Sequence, residues 1–187
     1  MDIQNNFNLW RKKLSEVGVD TTQLIENHGD AILNGTFSNQ SSNGLAYQGS
    51  LLQTILYKLT PYALKINEMF PEELRVDKSK LIKVCLLHQI AKSTRLIKND
   101  NEWEIKNRGL EYKYNPSNPS IRCGLQSLQM CNENGIQFTM DEVEAMTVND
   151  RDLSDEQARL HSSLFASIVR QANEMVYLES IERSKKA

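Results

Sequence analysis

The chain has 187 residues and carries 22 lysine and arginine residues against 24 aspartate and glutamate residues, a formal net charge of −2 at pH 7. This length predicts a single domain, residues 1–187, that is large enough to bury a substantial core. A hydrophobic content of 40% argues against a disordered chain. The nearly balanced charge gives no general attraction to nucleic acid, so we do not expect a nucleic-acid partner.

The sequence shows neither a membrane span nor a secretion signal. No apolar run approaches the roughly 20 residues that a membrane helix needs, and residues 1–6 lack the basic and apolar regions of a signal peptide. Three cysteines without CxxC or zinc-finger spacing are predicted to be free thiols. These features predict a cytoplasmic protein that has no membrane partner and no structural zinc.

Helical periodicity of apolar residues dominates the chain. The first helix is predicted to bury Phe7, Trp10, Leu14 and Val17 on one face, and Gly18 ends it. The other helices are predicted at residues 21–33, at 49–69 with a kink or break at Pro61, around His88 after an N-cap at Asp77, and at 120–132, 140–148 and 154–185.

The middle of the chain has a different pattern. Residues 103–105 and 110–114 are rich in aromatic and β-branched side chains, and the turn residues 107–109 separate them. This pattern predicts a small β-hairpin. The predicted fold class is therefore an all-α bundle with one small β-hairpin insertion.

In residues 84–92, His88 and Gln89 follow a run of apolar residues, and Lys92 ends the segment four positions after His88. It resembles the signature helix of the HD superfamily of metal-dependent phosphohydrolases, in which His and Asp stand side by side. Gln89 occupies the position of that Asp. The resemblance implies an HD-like core over residues 45–180, preceded by N-terminal helices and a loop over residues 1–44.

Four further segments resemble the other ligand-bearing segments of a bacterial and phage branch of this superfamily. In each of them the residue at the family's metal-binding position is not the expected one. Thr54, Cys123 and Asn149 stand where the family has His, and Asn173 stands where it has its last Asp. Of the family's ligands only His88 remains, so the resemblance implies the fold without its usual metal chemistry, because neutral hydroxyl and amide groups supply little charge for a divalent ion.

The first hypothesis is therefore a catalytically inactive HD-fold protein, encoded by a phage or mobile element, that has no cofactor and serves as a binding or structural subunit. Its partner would be a virion or host protein, which places it in the host cytoplasm or the virion. The hairpin near Trp103 and the N-terminal helix with Phe7 and Trp10 are the predicted contact surfaces.

Two alternatives stay open. The first is a residual phosphohydrolase that acts on nucleotides and holds a metal through His88 with Asp150 or Asp152. The second is a regulatory module that binds a nucleotide without cleaving it. In that case Lys92, which matches a phosphate-contacting lysine of the family, would contact the anion beside a neutral polar pocket.

Overall fold

The computed structural model describes residues 2–150 and 162–185, except for the side chain of Asn43. The described residues are mostly helical and include one small antiparallel sheet, which confirms the predicted helical class with a hairpin. Short 3₁₀ turns lie at Ser41–Asn43, Glu72–Leu74 and Val148–Asp150. The α-helices are α1 (Ile3–Glu16), α2 (Thr22–Asn34), α3 (Ser50–Thr54), α4 (Thr60–Glu68), α5 (Lys78–Leu87), α6 (Lys92–Arg95), α7 (Glu102–Arg108), α8 (Cys123–Glu133), α9 (Met140–Thr147) and α10 (Leu164–Ser184).

Helix α5 lies at the centre of the fold. It contacts α1, α4, α8, α9 and α10, and its apolar residues point in several directions into the core. Leu81, Val84 and Leu87 have no exposed surface, and neither does Ile90 just beyond the helix, as the helical spacing of these apolar residues predicts. The helix begins where predicted, because the side chain of Asp77 accepts a hydrogen bond of 2.9 Å from the Lys80 backbone N–H.

The predicted long helix over residues 49–69 runs through Pro61 without a break. Helices α3 and α4 are joined by a π-helical turn at Ile55–Leu59, in which the backbone N–H of Thr60 bonds to the carbonyl of Ile55. Proline has no N–H, and its ring would clash with the carbonyl four residues earlier in an ordinary α-helical turn. A wider turn immediately before Pro61 accommodates the ring, so the helix continues.

An antiparallel pair of strands is present, as predicted, but its first strand lies at other residues than those predicted. Strand β1 (Leu96–Lys98) pairs with strand β2 (Tyr112–Tyr114), and Ile97 lies opposite Lys113. Residues 103–105, predicted as a strand, lie in α7 instead. The Asn101 side chain accepts hydrogen bonds from the first-turn N–H groups of α7, acidic and basic residues occupy its first and last turns, and Gly109 ends it at a φ of 62°.

The last helix starts later than predicted. Residues 162 and 163 are not helical, and α10 begins at Leu164, where the Ser163 hydroxyl accepts a hydrogen bond of 3.1 Å from the Ala166 N–H. A continuous helix over residues 154–185 is therefore wrong, because residues 162 and 163 interrupt it, and residues 151–161 lie outside the described residues. Helix α8 likewise begins at Cys123 rather than at residue 120.

The N-terminal helix is part of the core. Phe7 and Trp10 are 7% and 0% exposed, and the Trp10 indole N–H donates to the carbonyl of Leu86 at 3.1 Å. They are therefore not available as a partner surface, which corrects that prediction, whereas Trp103 on α7 is 63% exposed. Within the described ranges, no helix combines the length and the apolar character that crossing a bilayer requires.

The two tryptophans should differ sharply in their contribution to stability. Trp10→Ala removes a fully buried ring and its hydrogen bond, so the free energy of unfolding should fall by about 4 kcal/mol. Trp103→Ala, the matched control, should change it by less than about 0.5 kcal/mol. Urea unfolding followed by circular dichroism measures both values, and equal losses would contradict the described packing of α1.

Candidate functional site

Five of the six positions that the resemblance assigns to the HD site lie together around one cavity of about 240 Å³, and Lys92 lies beside them. The cavity is formed where several helix ends meet the side of α10. The residues that line it are His88, Gln89, Lys92, Cys123, Gly124, Met146, Asn149, Asp150, Asn173 and Tyr177.

Each contributing residue is held by a different element. His88 and Gln89 follow the end of α5, Cys123 opens α8, Asn149 lies in the 3₁₀ turn after α9, and Asn173 lies inside α10. Helix ends bring backbone and side-chain polar groups inward, because the last turn leaves hydrogen-bonding groups that the helix itself cannot pair. We call this space the His88 cavity.

Thr54 is the exception among the predicted positions. It is 1% exposed, at the end of α3, and lines a separate cavity of about 420 Å³ between this helix and the C-terminal part of α10. Thr54 is therefore not among the residues that line the His88 cavity.

His88 is 1% exposed, and neither ring nitrogen has a hydrogen-bond partner among the described residues. Burial lowers the pKa of the imidazole to about 4, and the positive charge of Lys92 acts in the same direction. The backbone carbonyls of Cys85 and Val84 act in the opposite direction without overcoming this shift, although neither meets the ring in hydrogen-bond geometry. His88 is therefore a neutral ring at pH 7.

Gln89 and Asn173 form a pair of neutral amides. The Gln89 side-chain N–H donates to the Asn173 carbonyl oxygen at 2.6 Å, and both residues are at most 8% exposed. The other end of Gln89, its Oε1 atom, has no partner in the described part of the chain, nor does the amide nitrogen of Asn149. The cavity wall thus holds amides at the positions where the family resemblance implies Asp and His.

Asp150 is the carboxylate in the wall of the His88 cavity, and it acts as a cap for α8. Its two oxygens accept hydrogen bonds from the N–H groups of Gly124 at 3.0 Å and of Leu125 at 2.7 Å. Negative charge at a helix N-terminus is stabilised by the unpaired N–H groups and the helix dipole. Sequence reasoning considered Asp150 only as a metal ligand, because no local pattern links it to a helix that begins 27 positions earlier.

Gly124 is required by the close approach of α8 to α9. A side-chain carbon at this position would stand 2.3 Å from the Met146 carbonyl oxygen and 2.8 Å from an Asp150 carboxylate oxygen. Only a residue without a Cβ fits there. The Gly in the segment that resembles the family therefore has a steric role in closing one side of the His88 cavity.

Lys92 is half-buried and bonded to neutral groups. Its Nζ donates to the Phe37 carbonyl at 2.9 Å and to the Tyr177 hydroxyl at 2.8 Å, and it lies 3.7 Å from the centre of the Phe37 ring. Lys92 and the half-buried Arg95 line a second cavity of about 260 Å³ that shares Cys123 and Tyr177 with the first. We call this second space the Arg95 cavity.

The cysteines are protonated thiols rather than reactive thiolates. Burial raises the pKa of Cys85 and Cys131 to about 12. Burial also raises the pKa of Cys123, although the charges of Lys92 and Arg95 act against the shift. Because the thiolate is the nucleophilic form, none of these cysteines is an activated nucleophile.

The donors around His88 do not fit a catalytic divalent metal. Within residues 2–150 and 162–185, no three His, Cys, Asp or Glu side chains stand close enough together to hold a metal ion. Asp150 is occupied by two backbone N–H groups, and the amides of Gln89, Asn149 and Asn173 carry no charge. Asp152, the other proposed ligand, lies outside the described residues.

Comparison with protein-family models, with curated proteins and with solved structures found no match for this chain. The resemblance to the HD superfamily therefore stays a prediction, and any proposed function has to account for the geometry and charge of the cavity itself.

The neutral state of His88 predicts a specific loss of stability in acid. A base whose pKa is lower in the folded state binds more protons when unfolded, so stability falls as pH drops below the unfolded pKa of 6.5 toward the folded value of about 4. Between pH 7 and pH 5, the free energy of unfolding should fall by about 2 kcal/mol more in the wild-type protein than in His88→Gln. Urea unfolding at each pH measures this difference, and a difference that stays constant with pH would contradict a buried neutral imidazole.

Proposed function

We propose that this protein is a catalytically inactive member of the HD fold class that serves as a binding or structural subunit. The order and spacing of the five resembling segments support this proposal, as does the position of five of their key residues around one cavity. In keeping with the phage branch that the segments resemble, its partner is a virion or host protein. The exposed Trp103 on α7 is the proposed contact residue.

The amide pair of Gln89 and Asn173 is the observation that carries this proposal. In the resemblance these two positions correspond to aspartates, and here their side chains meet at 2.6 Å and satisfy one another. Two carboxylates at such a distance would repel each other unless a cation or a proton lay between them. Two amides form a stable hydrogen bond without any ion, so the residues suit a site that functions without metal.

The residual phosphohydrolase has weaker support from the same geometry. It needs several charged oxygen ligands around one ion, so that a bound water can be activated. His88 and Asp150 line one cavity, but both Asp150 oxygens already accept hydrogen bonds from the start of α8. Withdrawing Asp150 to bind a metal would leave two backbone N–H groups of this helix without their partner.

Restoring the two carboxylates should create a metal site that the wild-type protein lacks. Titration calorimetry should detect no Mn²⁺ binding to the wild type below about 1 mM, because the cavity offers mainly neutral donors. Gln89→Asp with Asn173→Asp should bind Mn²⁺ at least about tenfold more tightly. The matched control, Gln89→Glu alone, adds one charge without the facing carboxylate and should show a smaller gain.

A phosphodiester and phosphomonoester screen with Mn²⁺ completes this test. We expect no turnover by the wild-type protein above that of His88→Ala. Mn²⁺-dependent hydrolysis that disappears in His88→Ala would overturn the proposal and favour the phosphohydrolase.

One observation favours the nucleotide sensor as a second candidate. The Arg95 cavity is lined by two half-buried cations, and no carboxylate lines it in the described part of the chain. The side chains of Lys92 and Arg95 donate to carbonyl, amide and hydroxyl groups, and among the described residues neither forms an ion pair with an acidic side chain. A phosphate bound between them would accept charge-assisted hydrogen bonds from both cations.

Nucleoside monophosphates should test this candidate through Arg95. If the sensor is correct, they raise the melting temperature of the wild type, and Arg95→Gln weakens their binding by about tenfold, whereas Arg95→Lys retains most of it. Arg11→Gln, a change at an exposed arginine on α1, is the matched control and should have no effect. The absence of any melting shift, or equal losses in Arg95→Gln and Arg11→Gln, would rule the sensor out.

A further inference from the structure

Buried polar atoms without partners are concentrated at the His88 cavity. They are Nδ1 and Nε2 of His88, Oε1 of Gln89 and Nδ2 of Asn149. Within the described ranges one further side-chain atom is in this condition, the hydroxyl of Thr60, and Thr60 does not line the cavity. Because buried polar groups are nearly always hydrogen-bonded, four such atoms around one space indicate that the space is occupied by a polar molecule.

The hydrogen-bonding character of these four atoms is balanced. A neutral imidazole offers one N–H donor and one nitrogen acceptor. Gln89 Oε1 adds an acceptor, and Asn149 Nδ2 adds donor hydrogens. Several water molecules satisfy this set, and so does a single molecule that presents a donor beside an acceptor.

The charges around the cavity favour an uncharged molecule. Its lining includes one cation, Lys92, and one carboxylate, Asp150, and both are bonded to other groups of the protein. A free anion would meet the carboxylate, and a free cation would meet Lys92. Neither sign of charge is favoured over a neutral molecule with good hydrogen bonds.

The dimensions of the cavity suit a single small ring. Its volume of about 240 Å³ equals the space of roughly eight water molecules in the liquid. Among its lining residues His88, Gln89 and Asn173 are buried, while Lys92 and Tyr177 are half-buried.

We infer that the His88 cavity binds a small uncharged molecule of the amide class, in which an N–H stands beside a carbonyl, as in a cyclic imide, a urea or a pyrimidinedione. The carbonyl of such a molecule accepts from Asn149 and the imidazole N–H, and its N–H donates to Gln89 Oε1 or to the bare imidazole nitrogen. This inference deepens the proposed function and rests on it, because a metal in the same space would exclude the ligand.

Uracil is the probe, and 1,3-dimethyluracil is its matched control, because the two have nearly the same shape but the methyl groups remove the N–H donors. Titration of the full chain, followed by ¹H–¹⁵N correlation spectra, should show saturable shifts with uracil at millimolar concentrations and none with the dimethyl compound. Saturable shifts of equal size with both compounds, or no saturable shifts with uracil, would overturn the inference and leave water as the occupant.

Two variants locate the binding. Asn149→Ala removes one unpartnered donor on a half-exposed residue and should weaken uracil binding about tenfold. Thr60→Val removes the unpartnered hydroxyl that lies outside the cavity and should leave binding unchanged. The side-chain nitrogen of Asn149 makes no hydrogen bond within the protein, so its removal breaks no such contact of the fold. An unchanged affinity in Asn149→Ala would therefore overturn the inference.

The failure of this inference is distinguishable from the failure of the proposed function. If uracil does not bind and Mn²⁺ does not bind, the amide ligand alone is wrong. If Mn²⁺ binds to the wild-type protein with His88 as a ligand, the proposed function fails, and the inference fails with it.

Discussion

The buried, uncharged imidazole of His88 determines what the centre of this protein can bind. His88 lies against the core helix α5 with both ring nitrogens unpaired, and burial holds its pKa at about 4. Around it the amides of Gln89 and Asn173 pair with each other. A divalent ion would need anionic ligands to replace its hydration shell, whereas these groups favour neutral hydrogen-bonding partners.

Close packing between helices forms one side of the His88 cavity. α8 approaches α9 so closely that only glycine fits at Gly124, and Asp150 closes the same corner by capping α8. Asp150 therefore both caps α8 and lines the His88 cavity. Both oxygens of this carboxylate are engaged by the start of α8, and this contact stabilises the helix end.

The sequence predicted the parts of this architecture that depend on local chemistry. The Asp77 cap and the inward-facing residues of α5 followed from capping and helical periodicity, and both are confirmed. Residues 103–105 have the aromatic and β-branched composition of a strand, and that prediction is wrong. They form a helix because Asn101 caps it and its charged residues suit the two helix ends. The role of Asp150 could not be predicted, because it depends on contacts between residues far apart in the chain.

The pKa of His88 in the folded protein is the quantity on which the account depends most directly. Histidine ring signals in two-dimensional ¹H–¹⁵N spectra report it, and His88→Gln identifies the His88 signals among those of the three histidines. The account predicts that they stay those of a neutral ring from pH 7.5 down to about pH 5, with titration near pH 4. Titration at or above the ordinary value of 6.5, or loss of these signals by direct Mn²⁺ coordination, would contradict a neutral, metal-free cavity.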